Sequence, residues 1–184
     1  MKKYIIILLI IVFLAGAVYY LLLSNNKKDN WELYSPKNEK NLLSTSTLQY
    51  KNISRNFILE YPKEFYYKEN NEGDTTYTIV FSDEVDEKSF QLFFTPYYGN
   101  QITKSRMLKD IPSGKFTDPL EIIIGNNIRA LLFYSTLDIG EMVEVWFLYD
   151  GYLYQVTAPR ELEALLSGLL NSLKFYTIAP VGNS

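Results

Sequence analysis

Twenty consecutive residues without a charge, opening at Tyr4 and closing at Leu23, constrain this chain more than any other feature. At about 1.5 Å rise per residue, a helix of that length spans about 30 Å, the hydrocarbon thickness of a bilayer. Fourteen of the 20 are Ile, Leu, Val or Phe. At roughly −0.3 to −0.6 kcal/mol each on the insertion scale, they favour the membrane by about 4 to 8 kcal/mol. Tyr4 at one end and Tyr19 and Tyr20 near the other stand where amphipathic rings prefer the interface. The expectation is a single-pass, uncleaved signal anchor. Ala15-Gly16-Ala17 also fits the small-x-small pattern of signal cleavage, but residues 18–23 stay apolar beyond it, which makes the run longer than a usual signal core.

Lys2 and Lys3 ahead of the run favour an N-terminus on the cytoplasmic side and a domain outside. Lys27, Lys28, Lys37 and Lys40 follow on the other flank, so the charge count alone leaves the orientation open. Without Lys2 and Lys3, 16 basic residues face 21 acidic ones, a formal charge of −5. That acidic balance makes a poor nucleic-acid binder, which needs a basic face. The chain contains neither Cys nor His. Disulfides, a Cys-linked lipoprotein anchor, thiolate nucleophiles, Ser-His-Asp triads and His-ligated metals are thereby excluded. No catalytic residue, cofactor or metal site is expected.

The sequence divides into a tail and anchor (1–23), a polar juxtamembrane linker (24–46), one globular domain (47–178) and a flexible tail (179–184). Trp31, Leu33 and Tyr34 in the linker are placed either to dip into the interface or to dock on the domain. Within the domain the apolar pattern has period two. Phe57, Leu59 and Tyr61 share one strand face, and Pro62 stops the strand. Asn70 to Asp74 is a turn cluster, Tyr77, Ile79 and Phe81 form a second strand, and Phe90, Leu92 and Phe94 a third. Residues 101–111 break the alternation and predict a short helix. Gly125-Asn126 joins residues 116–124 to 128–135 as a hairpin. Asp150-Gly151 is the strongest hairpin signal, and a two-residue loop pairs Tyr149 with Tyr152, Phe147 with Tyr154 and Val145 with Val156. Leu162, Leu165, Leu166, Leu169, Leu170 and Leu173 step by three and four, a helical stripe for packing on a sheet, with Pro159 in the first turn and Lys174 at the far end. The expected fold class is α+β: a transmembrane helix followed by one antiparallel-sheet domain with packed helices.

The order of Phe57-x-Leu59-x-Tyr61-Pro62-x-x-Phe65, the hairpin from Ile124 through Gly125, Asn126 and Asn127 to Ile128, the strand Gly151-Tyr152-Leu153-Tyr154 and the closing Ser172-Leu173-Lys174-Phe175 resembles PsbP-like domains. That family is named for an extrinsic subunit of photosystem II. The resemblance covers residues 50–175. It implies an antiparallel sheet between helices, in a noncatalytic domain at a membrane surface that binds or stabilises a partner. It carries no photosynthetic role here, and the family's histidine-based metal positions have no counterpart in a chain without His.

Other candidate groups read as structure. Ser24-x-x-Lys27 matches the pattern of serine-acylating enzymes but lies in the linker without companion motifs. Asp83, Glu84, Asp86 and Glu87 form a solvated acidic turn that lacks the glycine and spacing of a calcium loop, and Glu72 and Asp74 lie about 26 Å away along a strand. Glu141 and Glu144, three apart on a strand, point to opposite faces and read as exposed charges. Aromatics make up 16% of the chain, so two exposed pairs, Tyr66 with Tyr67 and Tyr97 with Tyr98, are the best candidates for a partner-binding patch, with sheet packing as the alternative.

The expected function is a membrane-anchored, extracytoplasmic, noncatalytic binding or assembly module. Its expected partners are the bilayer, through Tyr4 to Leu23, and a membrane or envelope protein. A ligand-sensing ectodomain acting through a membrane partner is one alternative. An enzyme using carboxylates or Lys without His or Cys is the other, and it requires two such groups converging in a cleft.

Overall fold

Alternating apolar residues from Phe57 onward build two sheets. The computed structural model describes residues 32–33, 46–83, 88–111 and 113–177, all within one unit, Glu32–Ser184. The apolar run 4–23, most of the linker, Glu84, Asp86 and Glu87 of the acidic turn, and the tail 179–184 lie outside the described residues. Among the described residues, no helix is long and apolar enough to cross a membrane.

The strands are β1 (Glu32–Leu33), β2 (Thr47–Asn52), β3 (Phe57–Pro62), β4 (Phe65–Gly73), β5 (Thr76–Asp83), β6 (Ser89–Pro96), β7 (Leu120–Ile124), β8 (Ile128–Leu137), β9 (Gly140–Tyr149), β10 (Tyr152–Pro159) and β11 (Lys174–Phe175). The helices are α1 (Lys104–Asp110) and α2 (Glu163–Ser172), the latter entered through a 3₁₀ turn, Arg160–Leu162. Eight strands form a sheet in the order β1-β7-β8-β9-β10-β6-β5-β4, and three form a second sheet, β11-β3-β2. The pairings are antiparallel except β1 with β7, where Leu33, in the stretch read as linker, lies opposite Ile123 in a parallel pair.

The β9–β10 hairpin has the expected register, with Tyr149 opposite Tyr152, Phe147 opposite Tyr154 and Val145 opposite Val156. Asp150 and Gly151 both take positive φ, as a type I′ turn requires. The β7–β8 hairpin pairs Ile124 with Ile128, so its loop has three residues. Gly125 there has φ +46, and a Cβ on it would stand 2.1 Å from the Leu173 carbonyl oxygen, so only glycine lets this turn lie under the end of α2.

One face of the eight-stranded sheet packs against α2 and the three-stranded sheet. Phe57, Leu59 and Tyr61 of β3, the six-leucine stripe, and Ile79, Phe81, Phe90, Leu92, Phe94, Val145 and Val156 form one buried cluster. Its rings stack: Phe147 on Tyr154 at 4.9 Å and Phe81 on Phe90 at 4.7 Å between centroids. The opposite face carries a smaller cluster, Phe133, Trp146 and Leu153, under Met107 and Ile111 at α1. The sheet is therefore covered on both faces at its centre, and 142–147 in β9 are six consecutive buried residues.

Several local expectations need correction. Asn70 to Gly73 belong to β4, which bulges between Asn71 and Gly73, and the turn is moved to Asp74 and Thr75, both at positive φ. The strand before Gly125 begins at Leu120, and Phe116 makes only an isolated bridge to Ser135. Pro159 ends β10 instead of opening the helix, and Lys174 lies beyond α2 in β11. The exposed charge expected at Glu144 is buried, with 3% of the residue accessible.

Candidate functional site

The α1 side of the large sheet holds the most concentrated buried polar chemistry. Glu144 on β9 lies opposite Thr157 on β10, so their side chains leave the same face. Thr157 Oγ1 donates to Glu144 Oε2 at 2.7 Å, Ser135 Oγ on β8 donates to Oε1 at 2.8 Å, and Trp146 Nε1 donates to Oε2 at 3.1 Å. Burial pushes the Glu144 carboxyl above the ordinary carboxylate range, and these three donors pull the other way without cancelling it. A second set closes on α1, where Arg106 Nε donates to Asp110 Oδ2 at 2.6 Å, and Gln155 Nε2 of β10 donates to the same oxygen. This set ties α1 to the sheet beside the Trp146 cluster.

Next to Glu144, where α1 leaves the sheet uncovered, lies a shallow cleft of about 150 Å³. Thr157, Met142, Leu137, Ile139, Gln91 and Val80 are among its lining residues. It is smaller than the roughly 300 to 1,000 Å³ of a typical small-molecule pocket. Thr157 reaches it, but the Thr157 hydroxyl proton is already committed to Glu144. Such an arrangement fixes a strand register and a Trp ring; among the described residues it brings no second acid or base to Glu144.

The candidate tyrosines fall in two places. Tyr66 and Tyr67 lie on β4, at the edge of the large sheet, opposite Ser82 and Phe81. They leave opposite faces. Tyr66 is 48% exposed, whereas Tyr67, 46% exposed, leans on the Tyr50 ring at 4.9 Å and the Tyr61 ring at 6.0 Å. Tyr97 and Tyr98 follow β6. Tyr97 N–H donates to the Gly151 carbonyl at 2.8 Å and Tyr97 Oη to the Gln101 carbonyl at 2.9 Å, while the Tyr98 ring stands fully in solvent. Ser89, next to the Tyr66 end, and Pro96, next to Tyr97, are the two ends of β6, about 23 Å apart. The structure therefore does not bring the two pairs into one patch.

Of the acidic turn, Asp83 is described, its N–H donating to the Lys88 carbonyl at 2.9 Å. Glu72 and Asp74 are exposed at the β4–β5 turn. Among the described residues, no group of three or more Asp or Glu side chains assembles as a metal site. Glu141, in contrast to Glu144, is exposed and pairs with Arg160 at 3.0 Å. The Glu144 set was within reach of sequence reasoning: the register that pairs Val145 with Val156 also places Glu144 against Thr157. Ser135 and the cover over that face carried no such signal.

No family model and no curated protein matches the sequence. Among solved structures, a crystal structure at 1.50 Å of a protein from Bacteroides thetaiotaomicron VPI-5482 is similar over 70% of this chain and 48% of that one, at 15% identity and a TM-score of 0.44, so the chain spans about half of that protein. The solution structure of cyanobacterial PsbP (CyanoP) from Synechocystis sp. PCC 6803 is similar over 77% of this chain and all of that one, at 10% identity and a TM-score of 0.53. At that identity the likeness is one of architecture: the fold is PsbP-like.

Proposed function

We propose that this chain is a noncatalytic binding or assembly module, tethered to a membrane by residues 4–23 with its domain on the extracytoplasmic side. The PsbP-like fold supports a module of this kind, and the length and apolarity of the run support the tether. The observation that carries the reading is the edge of the large sheet. Among the described residues β4 has a strand on one side only, and Tyr66 stands half-exposed on it. An edge strand presents unpaired N–H and C=O groups to which a partner segment can add, with alternate side chains giving specificity. Lys68, Glu69 and Glu72 along the same strand discourage indiscriminate pairing. Tyr98 offers a separate exposed ring at the other end of the sheet.

The test is made on the full chain in membranes, with a photo-crosslinking residue at position 66 and, separately, at 98. The chain is expected to stay in the membrane fraction after an alkaline wash and to be cut by protease added outside the cell. Position 66 is expected to give a discrete protein adduct. An intact full-length chain in the soluble fraction overturns the tether. Adduct-free membranes from both positions overturn the partner, and substrate turnover by the purified protein overturns the noncatalytic reading.

A further inference from the structure

Charge is spread unevenly over the domain. Residues 47–178 carry 12 basic and 18 acidic side chains, yet 4 of the basic ones and a single acid, Asp110, fall within residues 104–115. That acid is engaged inside the fold, because Arg106 and Gln155 both donate to it. Lys104, Lys109 and Lys115 remain. All three are exposed, and none makes an ion pair with a described residue.

α1 presents these lysines on a fixed surface. Its inner side is set by Met107, buried with Ile111 beside Phe133, Trp146 and Leu153, and by the Arg106–Asp110 ion pair at 2.6 Å. Thr103 Oγ1 accepts from Arg106 N–H at 3.2 Å and caps the first turn. At about 100° per residue, Lys104, Ser105, Leu108 and Lys109 fall on the side away from the sheet, and all four are exposed. Leu108 is 48% exposed among the lysines. Lys115 follows Gly114, where a Cβ would stand 3.7 Å from Leu108 Cδ2, so the turn after α1 lies beside that leucine.

Lysine amines are mobile point charges without the planar fork that singles out one carboxylate or phosphate. Three of them around an exposed leucine on the outside of a helix suit a broad surface of many anions over an apolar layer. A bilayer leaflet has that composition: amines lie among its charged headgroups, and an apolar side chain reaches the acyl boundary. The acidic remainder of the domain is repelled by the same surface, which selects the orientation in which α1 faces it. We propose that the outer face of α1, with Lys115, docks on a bilayer surface rich in anionic lipid such as phosphatidylglycerol. This contact is additional to residues 4–23 and does not require them; a tether raises its effective concentration.

The chain has no Cys, so Ser105→Cys carries a single environment-sensitive fluorophore. The labelled full-length chain is reconstituted in vesicles of phosphatidylcholine alone or mixed with phosphatidylglycerol. The emission is expected to shift to the blue only with phosphatidylglycerol, and about 1 M salt, where the Debye length is about 3 Å, is expected to abolish the shift. Each of Lys104→Gln, Lys109→Gln and Lys115→Gln is expected to lower the docked-to-undocked ratio about fivefold, and the triple variant about 100-fold, with the circular dichroism of the folded domain unchanged. Leu108→Gln leaves the charges in place and is expected to weaken docking severalfold. Co-flotation with neutral vesicles reads the tether separately, so its loss leaves the test of α1 intact. An absent response to phosphatidylglycerol, an equal response in phosphatidylcholine alone, or an undiminished response of the folded triple variant overturns the proposal. A response to soluble polyglutamate but not to phosphatidylglycerol also overturns it, and would assign the face to an acidic protein.

Discussion

The two faces of the large sheet are built on different principles. The α2 face is mostly dry: leucines, phenylalanines and valines interlock there, and the buried polar side chains on that side, Asn52 and Ser167, carry no charge. The α1 face mixes a small apolar cluster with a carboxylate that has three donors and an Asp110 that has two. A dry face is stabilised by area and packing density and tolerates no voids. A polar face is stabilised only as a complete set, because each partner removed leaves another group buried without water. The dry face therefore holds the two sheets together, while the polar face specifies register and the seat of α1.

The largest expected effect breaks the dry face. Leu166 is fully buried on α2. Leu166→Ala should cost about 4 kcal/mol, since transfer and cavity terms add, as measured by urea unfolding of the full chain in micelles. Glu144→Ala should cost about 3 kcal/mol for a different reason, leaving Trp146 Nε1, Ser135 Oγ and Thr157 Oγ1 without their acceptor. If Glu144→Ala proves neutral, the polar face is not the closed set its geometry describes.

What the sequence disclosed follows the same division. The dry face repeats with periods of two and 3.6 residues, so Phe57, Leu59, Tyr61 and the leucine stripe could be assigned to it from spacing alone. The Asp150-Gly151 turn fixed a register over Val145, Phe147 and Tyr149 because a two-residue loop leaves no choice of partner. The burial of Glu144 was hidden because it depends on what covers the second face, and α1 docks there through contacts far apart in sequence: Asp110 to Gln155, and Met107 beside Trp146. β4 was hidden for the opposite reason. Its residues, FYYKENNEG, are mostly exposed at a sheet edge, so no apolar alternation marks them. The candidate tyrosines could be identified as exposed aromatics, but their separation by the length of β6 required the strand order.

Titration sharpens the comparison further. Because burial raises the Glu144 pKa in the fold, the folded state holds this proton more tightly than the unfolded chain does. Its contribution to stability is thus fully present below the ordinary glutamate value of 4.5 and declines as pH rises from there through the raised folded value. Glu144→Gln keeps the shape and removes the proton equilibrium. The difference in unfolding free energy, wild type minus Glu144→Gln, should fall as pH increases across that window and level off above it. A difference that rises with pH would mean that the three donors outweigh burial.

The smallest effect is expected three residues away on the same strand. Glu141 leaves the opposite face of β9 at its open end, where its side chain is 65% and that of Arg160 50% exposed. Arg160 also lies 4.3 Å from the centre of the Tyr134 ring, an attachment that survives loss of the carboxylate. Water and salt screen the pair, and two long side chains must be ordered to make it. Glu141→Gln should therefore change stability by less than about 0.5 kcal/mol, and 1 M salt should remove even that difference. Glu141 and Glu144 have the same chemistry on one strand. The face each one leaves and the cover over it separate them, so a Glu141→Gln effect as large as that of Glu144→Ala would show that cover to be the wrong explanation.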